Sequence, residues 1–290
     1  MTVTEFVANI DQLVALPEVC VHVNQMIDSP RFSAADIGEV ISQDTDLSAR
    51  LLRTVNSAMY GLPVPVETIS RAVTVIGTRD LRDLAVMTAA RQLFNGIPAD
   101  LMNMTEYWHY AISTGAYART LAKRCDVLHG ERLFVMGVLH DIGRLAILQH
   151  LPEQARDILL IAERDDDLLS AAEQDVLGFD HAEVGHALVK QWGLPESIQQ
   201  VVRYHHALEE VGDFGLETAL VHIGCVVASG ESWGHDLDDS IGRIHPVAWE
   251  ITGLDRSEVE GVVEEASPQI VEMTTNVLAG GAQWSHPAGY

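Results

Sequence analysis

The run Gly137-Val138-Leu139-His140-Asp141-Ile142-Gly143-Arg144-Leu145 sets an imidazole and a carboxylate side by side inside an otherwise apolar, helix-like segment. Burying such groups is expensive unless something pairs with them, so any fold that hides this segment must bring partners to it. Adjacent His and Asp can offer a neutral nitrogen and an anionic oxygen to one cation, a donor mixture suited to Zn, Mn, Fe or Ni. Further ligands must come from distant parts of the chain. His109, His181 and the pair His205-His206 are the candidates, and most of the thirteen histidines lie between His109 and His222.

With 290 residues, 47% of them hydrophobic and 21% charged, the chain can bury a large core as one domain or two smaller ones. No apolar run approaches the roughly 20 residues of a membrane-spanning helix, and the start MTVTEFVANIDQLV has neither a basic opening nor a long apolar centre. A cytoplasmic location is expected. A formal charge of −24 and a pI near 4.7 disfavour nucleic acid and anionic membranes, which attract basic faces, and leave protein partners or small ligands. Cys20, Cys125 and Cys225 are odd in number and widely spaced, so they read as small buried hydrophobes and not as a disulfide framework.

Apolar spacing and capping residues predict helices almost throughout. The expected segments are Thr4 to Ala15, Glu18 to Ile27, a helix opened by Ser33 with Asp36, one capped by Asp44 or Asp46, and one through Ile69 and Ile76 that stops at Gly77 in a left-handed cap. Thr78 is expected to cap a helix from Asp80 to Phe94. The second half reads as helices from Asp100 to Lys123 and from Glu131 to His150, with further starts at Ser170 with Glu173 and at Asp180 with Glu183. Helices follow Pro195 and run again over Phe214 to Ser229, Pro246 to Ile251 and Ser257 to Leu278. The expected fold class is all-α with no sheet, in two packed helical subdomains, 1–98 and 99–279, with a frayed tail over 280–290.

Leu16-Pro17, the run VISQDTDLSARLLRTVNSAMYG from Val40 to Gly61, and ETISRAVTVIGTRDLRDLAV from Glu67 to Val86 resemble the signature of HDOD domains over roughly residues 10 to 210. Asn56, at a helix end, reads first as a group that satisfies exposed backbone. The second half resembles the wider HD superfamily of metal-dependent phosphohydrolases, most closely the branch that hydrolyses cyclic di-guanylate. There His109, His140-Asp141-Ile142-Gly143, His181-Ala182-Glu183-Val184-Gly185 and His205-His206 fall in the family's order. Arg144 replaces that branch's lysine, Ala207 its glutamate, and its closing aspartate falls near Cys225.

The resemblance implies that Asp141 bridges two divalent transition metals, His109 and His140 on one side and His181, His205 and His206 on the other, with Arg144 and Arg203 to bind phosphate. The missing aspartate favours one retained ion. Three functions are therefore expected to compete: an HDOD-type signalling module with a retained metal site that acts through a protein partner with little or no hydrolysis, a metal-dependent phosphohydrolase of a nucleotide or cyclic dinucleotide, and a pure interaction scaffold without metal. His129, His150, His186, His222, His235 and His245 read as hydrogen-bonded core or surface residues.

Overall fold

The computed structural model describes the chain except residues 28, 30, 58, 59, 95, 129, 163–165 and 279–290. The expected tail over 280–290 lies outside the described residues. Among those described there are only helices and their connections. Six helices build the first part: α1 Val3–Ile10, α2 Glu18–Ile27, α3 Ala34–Ser42, α4 Thr45–Val55, α5 Ile69–Ile76 and α6 Thr78–Leu93. Ser33 and Asp36 close a reciprocal capping box on α3, and Asp44 caps α4. Asn56 ends α4 and binds the loop beyond it, its amide donating to the Val66 carbonyl at 2.8 Å and its oxygen accepting from the Val66 amide at 2.6 Å.

Gly77 departs from the expected left-handed cap. Its φ of 89° comes with an extended ψ of 160°, a combination open to glycine, and it joins α5 to α6 directly, so that Thr78 already lies inside the helix.

The second part is organised on α7 Met104–Arg124, which packs against α8 Gly130–Leu139, α14 Gly215–Trp233 and α17 Arg256–Leu278. Gly115 and Gly137 meet where α7 and α8 cross; a Cβ on either would overlap the other helix. Completing the chain are α9 Ile142–His150, α10 Pro152–Ile161, α11 Asp166–Leu177, α12 His181–Gln191, α13 Glu196–Tyr204, α15 Leu237–Gly242 and α16 Pro246–Thr252. Contacts cross residue 98 freely: α1 packs on α12, α6 on α8 and α4 on α17. Asp83 on α6, fully buried, meets Arg82 at 2.7 Å and Arg132 of α8 at 3.8 Å. Trp192 donates from its indole to the Val14 carbonyl at 3.0 Å, which fixes the turn after α12 to the N-terminal segment.

The segment from Glu131 to His150 is not one helix. It breaks at His140-Asp141 into α8 and α9, and α10 follows at once from Pro152. Asp141 stands in the N-cap position of α9 yet makes no capping hydrogen bond. Its carboxylate is used elsewhere.

A candidate metal centre at the break between two helices

Gly143 explains how α9 comes to lie against α12. A Cβ there would overlap the His181 carbonyl and the Gly185 amide, so the glycine lets the two helix starts touch and sets His181 beside Asp141. The capping box of Asp180 and Glu183 fixes the first turn of α12, and His205 follows the last turn of α13. Three elements, α9, α12 and α13, thus converge on one buried point.

Each of three imidazoles is oriented by its Nδ1. That of His140 lies 2.6 Å from the Gly137 carbonyl, that of His205 2.9 Å from the Val202 carbonyl, and that of His181 2.6 Å from Glu173 Oε2. Carbonyl and carboxylate oxygens only accept, so Nδ1 carries a proton in all three, and it is Nε2 that faces the centre and, in the neutral ring, has a lone pair for a cation. A hydrogen-bonded carboxylate or carbonyl behind a ligand histidine is the usual way to fix its tautomer.

His181 Nε2 and His205 Nε2 lie 3.3 and 3.4 Å from Asp141 Oδ1. All three atoms are buried and lack a hydrogen-bond partner. Two donors held about 2.1 Å from one cation at a tetrahedral angle stand about 3.4 Å apart. The spacing therefore fits atoms that share an ion, and the leftover hydrogen-bonding capacity points the same way. His206, exposed, closes the group: ligand atoms of Asp141, His181, His205 and His206 all fall within 4.8 Å of one another. Three imidazoles and one carboxylate suit Fe, Mn, Zn or Ni.

The field at the site also favours positive charge. Burial opposes a charge on His181, but the Glu173 and Asp141 carboxylates outweigh it and hold the imidazole well above its ordinary pKa. Burial likewise works against the Asp141 carboxylate, and His140 and His181 more than offset it, so its pKa falls well below the usual range.

On the other side of Asp141 the arrangement is closed. Tyr110 on α7 places its hydroxyl 2.8 Å from His140 Nε2, 3.3 Å from Asp141 Oδ2 and 3.2 Å from Cys225 Sγ. Since His140 Nε2 is an acceptor, the phenol donates to it. Arg144 Nη1 stands 3.8 Å from Asp141 Oδ2. Burial keeps His140 neutral, its pKa drawn down to about 4.

Two sequence expectations, on His109 and Glu173, need correcting here. His109 is exposed on α7 and does not join the cluster; Tyr110, one residue on, takes the inward position. The helix phase carried this signal, because Tyr107, Tyr110, Ala111, Thr114 and Ala118 form one buried face, and a residue one step along a helix turns about 100° away. Arg203 is drawn to Glu183, 3.6 Å away, and its guanidinium carbon lies 5.4 Å from the Tyr204 ring centre. Glu173 does not cap a helix start; it is buried inside α11 and supports His181 through both ring and backbone nitrogens. Asp141, His181, His205 and His206 share one cluster of ligand atoms, and His140 stands beside it with Nε2 3.7 Å from Asp141 Oδ1. Cys225 stands at the closed side, where the resemblance set the missing aspartate.

The sequence profile of the HDOD domain matches residues 13–208. The chain belongs to the HDOD family. A curated relative, an uncharacterized protein of Treponema pallidum (strain Nichols), is 32% identical over 203 residues, 69% of this chain and 38% of the relative, so the HDOD chain spans well under half of that protein's length. Solved structures share the fold. An HDOD domain protein of unknown function from Geobacter sulfurreducens is 24% identical with a TM-score of 0.70, covering 95% of each chain. A protein proposed to be a phosphohydrolase, from Shewanella amazonensis SB2B, is 23% identical with a TM-score of 0.73, covering 94% of this chain and 97% of that one. A proposed signal transduction protein from Marinobacter aquaeolei VT8 is 21% identical with a TM-score of 0.71, covering 94% of this chain and 61% of that chain. Among the described residues no helix is long and apolar enough to cross a membrane.

Proposed function

We propose that this HDOD protein is a regulatory module that holds a single divalent transition metal and relays a signal through a protein partner, with little or no hydrolase activity. The observation that carries this reading is the Tyr110 hydroxyl on His140 Nε2 at 2.8 Å. Two-metal hydrolysis needs donors on both sides of a bridging carboxylate, so that attacking and leaving oxygens are each held by an ion. On one side those donors are present. On the other a phenol and a thiol occupy the space, and the residue of the motif's first histidine faces solvent.

Asp141, His181, His205 and His206 would hold the ion, which when bound supplies a fixed positive charge and a Lewis acid. Glu173 orients His181, and the Gly137 and Val202 carbonyls orient His140 and His205. Binding would join α9, α12 and α13 at one point, and such a clamp favours one helix arrangement over its alternatives, which is what a relay needs. The charge of −24 suits a basic or neutral protein partner.

Elemental analysis of protein purified without chelator is expected to find about one transition metal per chain, and assays with cyclic di-guanylate and with bis(p-nitrophenyl) phosphate, with Mn or Fe added, are expected to show no robust turnover. The double substitution Tyr110→His with Cys225→Asp sharpens the test, because it should raise the ratio from one ion to two. Two ions in the unaltered chain, or rapid hydrolysis, would support the phosphohydrolase reading instead.

A further inference from the structure

A cavity of about 30 Å³ lies where α4 and α6 of the first part meet α7 and α8 of the second. A water-sized group needs about 10–15 Å³, so there is room for about two. The wall is of two kinds. Trp108, Ile112, Phe134 and Val138 form its buried, apolar portion, whereas Arg50, Thr88 and Arg91 are only partly buried and stand nearer to solvent. No ligand atom of the metal cluster borders it.

Charge at the polar end does not balance. Arg50 is engaged: its Nε donates to Asp46 Oδ2 at 2.9 Å, and Gln92 donates to the same oxygen at 2.9 Å. Arg91 has no ion pair among the described residues; what acts on it is burial and the positive charge of Arg50, and both lower its pKa. Two guanidiniums against the one carboxylate of Asp46 leave one positive charge over. This happens in a chain with 42 acidic residues and 18 basic ones, so the surplus does not follow from composition. A half-buried guanidinium stays charged and gives up part of its hydration, which is costly until an anion replaces it. Thr88 lies three residues before Arg91 on α6, a spacing that puts two side chains on one helix face, and it adds a hydroxyl donor.

We propose that this cavity binds a small monocarboxylate with an alkyl tail of about two carbons, the carboxylate on Arg91 and the tail against Ile112, Phe134 and Val138. The apolar wall sets the class of anion. A short alkyl chain gains by leaving water for it, whereas inorganic phosphate has no apolar part to bury and would lose hydration there. The bound acid touches helices of both parts of the chain and so stabilises their packing in proportion to its occupancy. The inference is independent of the metal centre, and holds whether that centre carries one ion, two or none.

Calorimetry on the full chain with propionate, neutral propionamide and inorganic phosphate, all at one ionic strength, tests it. Propionate binds roughly tenfold or more tighter than propionamide, which has its shape without its charge, and by a similar margin tighter than phosphate. It also raises the melting temperature as its concentration rises. Arg91→Gln weakens propionate roughly tenfold or more, as loss of a charged hydrogen bond does, and removes its effect on the melt. Val138→Ile, which fills part of the cavity with one more methyl group, weakens propionate roughly threefold or more and the shorter acetate less. Equal binding of propionate and propionamide, no binding of propionate at millimolar concentration, or an Arg91→Gln protein that binds it like wild type overturns the site. Phosphate binding as tight as that of propionate, or a Val138→Ile protein in which both acids bind as in wild type, overturns the carboxylate class, because the apolar wall then selects nothing.

Discussion

The two oxygens of Asp141 face different chemistry. Oδ1 points at His181 Nε2 and His205 Nε2, 3.3 and 3.4 Å away, all three atoms left without a hydrogen bond, with His140 Nε2, held by Tyr110, farther off at 3.7 Å. Oδ2 has Tyr110 at 3.3 Å and Arg144 at 3.8 Å. The open side fits a cation, whereas the closed side is occupied by a protein hydroxyl and a guanidinium. Each side is supported by its own helices, α12 and α13 behind Oδ1 and α7 and α14 behind Oδ2.

The largest effect should come from the shared atom. Asp141→Asn removes the anionic ligand of the open side and is expected to abolish metal retention, read as a fall from about one ion per chain to none after gel filtration. Retention of the ion in that variant would mean that the histidines alone bind it, and the contrast between the two oxygens would lose its meaning.

Acid should separate the sides next. His222 on α14 is buried and neutral: its Nδ1 donates to the His205 carbonyl at 2.8 Å and its Nε2 accepts the His245 amide at 3.1 Å. Burial draws its pKa from the ordinary 6.5 to about 4. The unfolded chain takes up this proton below pH 6.5 and the folded chain resists it, so stability falls as pH drops from 6.5 toward 4. The loss amounts to about 3 kcal/mol when complete. His140 shifts the same way. His181 has the opposite sign: its raised pKa gives stability that is complete below 6.5 and fades above it, so it does not contribute to the acid slope. Urea melts of the metal-free protein at pH 7 and pH 5 should show the loss, and His222→Asn should flatten it; equal melts at both pH values would break this account.

How much of this was legible in the chain differs between the two sides as well. Helix class and most boundaries followed from caps and apolar spacing, as at α2 and at the Ser33 and Asp180 boxes. The open side was legible because each ligand sits in a short motif whose glycine has a packing role, as Gly143 does against His181. The closed side was not, because motif order fixed attention on His109 whereas burial is set by helix phase, which favours Tyr110. The break at His140-Asp141 was hidden by an unbroken apolar run, and α10 by reading Pro152 as a stop when proline also suits a first helical turn. Glu173 resembles a cap in the sequence because nothing there reveals that α11 begins earlier, at Asp166.

Support behind a ligand should matter less than the ligand. Glu173→Gln keeps the shape and removes the charge that holds His181 Nδ1 at 2.6 Å. Changes of this kind cost roughly ten- to a hundredfold in metal affinity. Competition with a chromogenic chelator measures it, and an unchanged affinity would mean that the backbone of α12 alone orients the ring.

His206 should give the smallest change. Its neighbours are buried, whereas it is exposed, and its ring centre lies 4.1 Å from that of His205 and 5.2 Å from that of His181. A ligand that water can replace contributes little: with Asp141, His181 and His205 in place, a solvent molecule can take the fourth position of a tetrahedral ion. His206→Ala is therefore expected to keep the one-to-one ratio and weaken affinity by roughly tenfold or less, while opening a coordination position to solvent. Small added ligands such as azide should then perturb the absorption of a Co-loaded variant more than that of the Co-loaded parent. If His206→Ala instead empties the site as Asp141→Asn does, the exposed ring is as essential as the buried ones, and the open side must be closed by protein on every face.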